Sequence, residues 1–284
     1  MKTLAFVHRN DTRSAVGDFS PVVSVFSHYE LGNTVSPFLL LDHIGPGRLK
    51  PSSRRQGVDD HPHRGFETVT IVFKGEIEHK DSKGGGGIIG AGDVQWMTAA
   101  HGIIHQELFS EAFTAQGGPF EMIQLWVNLP ARDKLGPPRY QGLASADIPT
   151  VELPDGVGTV RVIAGQFNGV TGPAETHTRM NVLDVRMRAA KSALFNAQVG
   201  DTALVYLISG LLQYADAEPM EAAGLAVMSS HHADFTVDTL EDSHFLILTG
   251  EPLNEPIYGR GLFIMNTFEE ILQAFEDSKN GLLG

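Results

Sequence analysis

The sequence predicts an all-β protein of two similar barrels in tandem, with one short helix at the C-terminal end. Three observations predict it. Gly and Pro are frequent, 31 and 15 of 284 residues, and they punctuate the chain about every eight to twelve residues, as in a sandwich or barrel. The pieces between them are rich in Val, Ile, Phe and Thr, which suit a pleated, half-buried surface. The second half also repeats the texture of the first. KGEIEH (74–79) is echoed by SGLLQY (209–214), and IGAGDVQWM (89–97) by AAGLAVM (222–228), as a duplicated β-domain would read.

In chain order, ETVTIVF (67–73) alternates polar and apolar residues and predicts a half-buried strand. Lys74-Gly75 marks a turn, EIEH (76–79) a short strand, and the four glycines at 84–87 a loop or tight bend. VQWM (94–97), IIHQELF (103–109) and MIQLWVNL (122–129) read as further strands. From Pro130 to Pro154 there is no sustained periodicity and there are five prolines. Residues 136–154 are therefore read as a linker between a barrel at 1–135 and a second at 155–284. The second barrel has TVRVIAG (159–165), NVLDVRM (181–187), ALVYLISG (203–210), GLAVMSS (224–230) and HFLILTG (244–250) as strands. NTFEEILQAFEDSKNGLLG predicts the helix. Asn266 or Thr267 caps it, Glu269 and Glu270 suit its positive end, and Gly281 stops it. Phe268, Ile271, Leu272 and Phe275 share one face, which is read as packing.

Composition excludes several classes. There is no cysteine, so disulfides, thiolate metal sites and a cysteine nucleophile are out, which fits a cytoplasmic location. No run of eighteen apolar residues is present to span a membrane, and the opening MKTLAFVHRNDTRS lacks the apolar core of a secretory signal. With 21 basic and 34 acidic residues the formal charge is −13. Coulomb steering then opposes direct binding to nucleic acid or to an anionic membrane, and favours a basic protein partner over DNA.

Two segments carry chemistry. His61-Pro62-His63 and His105-Gln106-Glu107 each set two metal-capable side chains two residues apart, and in a strand such side chains share a face. Two such strands side by side aim three imidazoles and one carboxylate at a common point. That donor set suits a redox-active or Lewis-acidic divalent metal. Pro62 places its strand at an edge or a barrel rim. Glu67, four residues after His63, competes with Glu107 for the carboxylate role, being on the same face if the strand runs on unbroken. His101 lies in a Gly-flanked turn, as a neighbour of the ligands or a surface residue. His79 is read as a strand residue facing water.

HPHRGFETVT, GDVQWMTA and GIIHQE together resemble the pirin family, a branch of the cupin superfamily built from two jelly-roll barrels, and GEPLNEPIYGRGLFIMNTFEEI resembles its second-domain signature. The resemblance implies one metal in the N-terminal barrel on His61, His63, His105 and Glu107. Iron(II) is the expected ion, with Ni, Co, Cu or Mn as other occupants. Glu67 and His101 then become hydrogen-bonding neighbours of the ligands. Ala100-His101 departs from the small residues or Gly-Arg usual in the family. The strand matching HPHRGFET in the second barrel is read as ETHTRMNV (175–182), with no second histidine, so no metal is expected there.

The resemblance further implies an oxidoreductase of the quercetin 2,3-dioxygenase type, a monomer taking a flavonol and dioxygen and releasing carbon monoxide. Glu107 would be both ligand and general base. Phe66, Met97 and Phe109 are the candidate cavity walls, with core packing as the competing role. The alternative is a non-enzymatic, iron-dependent regulator that binds a protein partner.

Overall fold

A computed structural model describes residues 1–215 and 217–284. It divides into two compact units that do not follow a single cut in the chain. One comprises Thr12–Gly32, Phe38–Ser145 and Asn254–Gly284. The other comprises Met1–Asp11, Asn33–Pro37 and Ala146–Leu253. A serial division at 135 and 155 is therefore corrected at both ends of the chain. Residues 4–9 belong to the later barrel, and the terminal helix to the earlier one.

The first unit is a sandwich of two antiparallel sheets. Its large sheet has the order Arg139–Leu143, Val94–Thr98, Phe66–Lys74, Gly118–Asn128, Phe38–Leu49, Phe19–Ser27, Arg13–Val16. The small sheet runs Gly57–His63, Ile103–Phe109, Ile77–Asp81, Gly86–Ile89. Phe19, Ile44, Val72 and Met122 from the large sheet pack with Ile77, Ile89 and Phe109 from the small one. The core therefore lies between the inner faces, as the alternation predicts.

The second unit repeats this plan. Its large sheet runs Leu4–Arg9, Gly224–Met228, Thr202–Ser209, Ser243–Gly250, Met180–Met187, Gly158–Ala164, Thr150–Glu152. Its small sheet runs Lys191–Asn196, Asp234–Thr239, Leu211–Gln213, Met220–Glu221. The two units agree strand for strand in order, so the weak textual echo between the halves reflects a duplicated architecture.

The stretch read as a linker is not one. Arg139–Leu143 pairs with Val94–Thr98 and Thr150–Glu152 with Gly158–Ala164. Both are short edge strands, too brief to show alternation, and each gives the neighbouring edge a hydrogen-bonded partner. Leu4–Arg9 does the same for Gly224–Met228.

The helix spans Phe268–Lys279. Thr267 caps it through the Glu270 N–H, and the Glu270 carboxylate accepts the Thr267 N–H in return. Its buried residues are Ile271 and Ala274, packed with Phe263, Met265 and Leu283. Phe268, Leu272 and Phe275 are exposed, so the inward stripe is narrower than the sequence pattern implied. Among the described residues no helix is long and apolar enough to cross a membrane.

Candidate metal centre

Gly57–His63 and Ile103–Phe109 are neighbours in the small sheet, with His61 directly opposite His105 and His63 opposite Ile103. Along Ile103–Phe109 burial alternates, so Ile103, His105, Glu107 and Phe109 point inward. The i, i+2 spacing thus does what it predicts on both strands. The His61, His63 and His105 rings lie 4.3–4.8 Å apart between centroids, and their ligand-capable nitrogens lie within 4.8 Å of one another.

The ring protons can be placed by chemistry, because a backbone carbonyl only accepts. His61 Nδ1 is 2.7 Å from the Asp59 carbonyl and His63 Nδ1 is 3.4 Å from the Leu262 carbonyl. In its neutral form each ring therefore carries its proton on Nδ1 and offers a lone pair at Nε2. His105 is fully buried, and its Nε2 has no hydrogen-bond partner among the described residues. Burial pushes His105 well below the ordinary histidine range, and the facing His63, His61 and His79 rings add to it. For His63 the causes are burial, then His61. Neutral imidazoles with free lone pairs, and one orphaned buried nitrogen among them, are what a divalent metal requires.

Glu107 is 6% exposed. Its Oε1 accepts from Gln95 Nε2 at 2.6 Å and Thr70 Oγ1 at 2.9 Å, and its Oε2 from Gln124 Nε2 at 2.9 Å. With His105 and His79 it forms a second group whose ligand atoms also lie within 4.8 Å of one another. His105 belongs to both groups.

A cavity of about 230 Å³ is lined by His61, His63, Glu107, Thr70, Gln124 and Asp42, and by apolar walls that include Val16, Phe19, Val58, Ile77, Met122 and Trp126. It is somewhat smaller than the roughly 300–1,000 Å³ usual for ligand sites. Burial raises the Asp42 carboxyl to about 6, with the Ser24 hydroxyl pulling the other way.

Several expectations are corrected. Glu67 does not join the imidazoles. The chain leaves its strand after His63 and turns at Gly65 (φ 87°), where a Cβ would lie 1.9 Å from the Ile264 carbonyl oxygen. The turn resets the alternation, so Thr70 faces the cavity and Glu67 the opposite side of its strand. Glu67 accepts a 2.6 Å hydrogen bond from Thr98, and burial raises its carboxyl to about 7.

His101 is also outside both metal groups. Its Nδ1 donates to the Gly136 carbonyl at 2.9 Å, and its own carbonyl accepts from Arg64 Nε at 2.5 Å. Phe66, Met97 and Phe109 lie behind the cavity. Phe66 packs with Leu39, Ile264 and Trp126, Met97 with Ala99, Ile103 and Tyr140, and Phe109 edge-on to Phe19. His79 does not face water but is 1% exposed. Sequence reasoning missed it together with Asp81, Gln95, Gln124 and Asp42, although His79-Lys80-Asp81 carries the same i, i+2 signal as the two metal segments. In the second unit the strand equivalent to Gly57–His63 is Lys191–Asn196 rather than residues 175–182.

Comparison with known proteins agrees with this picture. The pirin family profile matches residues 20–127, and that of the pirin C-terminal cupin domain matches residues 182–284. A Pseudomonas aeruginosa protein provisionally named quercetin 2,3-dioxygenase is 50% identical over 281 residues, 99% of this chain and 98% of its own. Mouse pirin is 39% identical over 263 residues, covering 90% and 86% of the two chains. The crystal structure of quercetin 2,3-dioxygenase from Acinetobacter baumannii superposes with a TM-score of 0.97 at 44% identity, covering 100% and 99%. With two cupin barrels, and relatives this similar along nearly its whole length, the chain belongs to the pirin family.

Proposed function

We propose that this chain is a metal-dependent dioxygenase that cleaves flavonols such as quercetin. His61, His63, His105 and Glu107 would hold one divalent metal, with iron(II) as the expected ion. The observation that carries this reading is the orphaned His105 Nε2, which lies beside His61 and His63, two imidazoles that help line an apolar cavity. Three nitrogens and a carboxylate leave coordination positions for substrate. Relatives named for quercetin 2,3-dioxygenase support the substrate class.

When bound, the metal supplies a path for an electron from the deprotonated flavonol to dioxygen. The remaining roles fall to the protein. Glu107 takes the proton from the flavonol hydroxyl, and Gln95, Thr70 and Gln124 hold its carboxylate in place. Phe19, Val58, Ile77 and Met122 receive the aromatic rings and exclude water. Overall, both atoms of dioxygen enter the ring-opened ester and one ring carbon leaves as carbon monoxide. A regulator acting through a protein partner needs no cavity, so the cavity favours the enzyme.

The test is oxygen uptake and carbon monoxide release by iron-loaded protein given quercetin, with His61→Ala as control. Metal-dependent turnover is expected. Its absence in protein carrying one iron would overturn the assignment and move the search to protein partners.

A further inference from the structure

His79 and Asp81 form a buried chain behind His105 that the proposed chemistry leaves unused. His105 Nδ1 lies 3.2 Å from His79 Nδ1, and His79 Nε2 lies 3.4 Å from Asp81 Oδ2. The three residues are 0%, 1% and 8% exposed. We propose that His79 and Asp81 are a positioning pair that fixes the His105 ring proton on Nδ1 and so keeps the Nε2 lone pair for a metal. The inference rests on the metal-site reading above and adds to it two residues that neither touch the substrate nor bind the metal.

The direction of the chain follows from what each atom can do. Asp81 Oδ1 accepts the Lys83 and Gly85 N–H groups at 2.8 and 2.9 Å, so the turn after the strand clamps the carboxylate with Oδ2 facing His79. A carboxylate accepts only, so His79 Nε2 must donate. In a neutral ring Nδ1 is then the acceptor, and the hydrogen on the short His79–His105 contact must come from His105. That leaves His105 Nε2 unprotonated beside His61 and His63.

Gln95 agrees in sign. Its Nε2 faces the Glu107 carboxylate at 2.6 Å and the Thr70 hydroxyl at 3.1 Å, so at 3.4 Å from His79 Nδ1 it presents N–H and no lone pair that would require a proton there. The reverse arrangement would set two lone pairs together at Asp81 and a proton into the metal group. Tyr140 stacks on the His79 ring, 4.9 Å between centroids and 21° off parallel, and holds its plane. An imidazole ligand whose far nitrogen is tied to a fixed acceptor is oriented and made more basic, and loss of such a partner typically weakens metal binding about 10–100-fold.

Two measurements test this. In metal-free wild-type protein, long-range 15N–1H correlation spectra report the tautomers directly, without any metal or variant. His105 is expected protonated on Nδ1 and His79 on Nε2, and His105 protonated on Nε2 would overturn the proposal. Second, cobalt(II) affinity is measured by chelator competition, with the cobalt absorption spectrum recorded for each protein. In His79→Asn the amide oxygen can stand where Nδ1 stood, so this variant should bind nearly as wild type does.

His79→Phe fills the space and keeps the stacking but cannot accept, and should lose about 10–100-fold. Asp81→Asn turns the fixed acceptor into a donor, which reverses the chain, and should fall at least as far. Wild-type affinity in His79→Phe would show a packing role only and sink the proposal. Comparable weakening in both His79 variants, with a changed spectrum of the cobalt still bound, would make His79 a ligand and also sink it. Failure of wild-type protein to bind cobalt would instead count against the metal-site reading, and the tautomer spectra would still decide the pair.

Discussion

Glu107→Gln separates the chemistry of the site from its architecture. The carboxylate accepts from Gln95, Thr70 and Gln124, all donors. A glutamine keeps one acceptor and presents an NH2 group where the other oxygen stood. The structure can absorb this. Gln124 can turn its amide over, and the Thr70 hydroxyl, which reaches both Glu107 Oε1 and Gln124 Oε1, can keep the contact to residue 107. One exchanged hydrogen bond is then at stake, about 1 kcal/mol of stability. Loss of a general base costs roughly 10²–10⁴ in rate, or about 3–5 kcal/mol of barrier. The variant should therefore fold, hold iron in part, and cleave quercetin at least about 100-fold more slowly per bound iron. The assay is bound iron by mass spectrometry beside carbon monoxide release. Wild-type turnover per iron would refute the role given to Glu107.

Two further outcomes test the rest of the reading. Burial raises Glu67 from 4.5 to about 7, so the folded protein holds a proton that the unfolded chain releases. The stability this contributes is complete below pH 4.5, falls as pH rises, and is gone above about pH 7. It amounts to roughly 3 kcal/mol at about 1.4 kcal/mol per unit. Glu67→Gln should lose that slope, becoming more stable than wild type at pH 8 relative to pH 5, with little change in activity; parallel urea-stability profiles would show that Glu67 does not titrate this way. Gly65→Ala forces a side chain onto the Ile264 carbonyl at positive φ, and should cost upwards of about 3 kcal/mol in denaturant titration. A wild-type midpoint would mean that the turn after His63 tolerates what its geometry forbids.

The two candidate ligand strands were legible in the sequence because strand alternation is local. Once His61-Pro62-His63 and His105-Gln106-Glu107 are extended, the facing of each pair follows from spacing alone. Glu67 was misplaced because its facing depends on one glycine, Gly65, whose turn is enforced by Ile264 about two hundred residues away. His79 was misread for a similar reason. It is covered in part by Tyr140, which lies in a segment whose prolines suggested a linker. The pairing of Leu4–Arg9 with Gly224–Met228 left no mark in either segment, since any edge strand of the right length satisfies such a partner.

The duplicated scaffold gives a physical reason to treat the imidazole cluster as a site rather than as packing. The equivalent strand pair in the second barrel sets Phe195 opposite Phe235, rings 6.0 Å apart, and Ala193 opposite Val237. Burying a phenylalanine contributes about 1.5–3 kcal/mol, so this pair stabilises its barrel. The first barrel sets His61 opposite His105 there, with Glu107 farther along the same inward face. Each inward polar atom left without a partner costs about 1–3 kcal/mol, and His105 Nε2 is one. Apolar side chains on that face would give a better-packed barrel of the same topology. The first barrel therefore gives up stability on this face, while its apolar core, from Phe19 to Phe120, holds the fold. A cluster of three imidazoles and a carboxylate that the fold does not need is best accounted for by what it can bind.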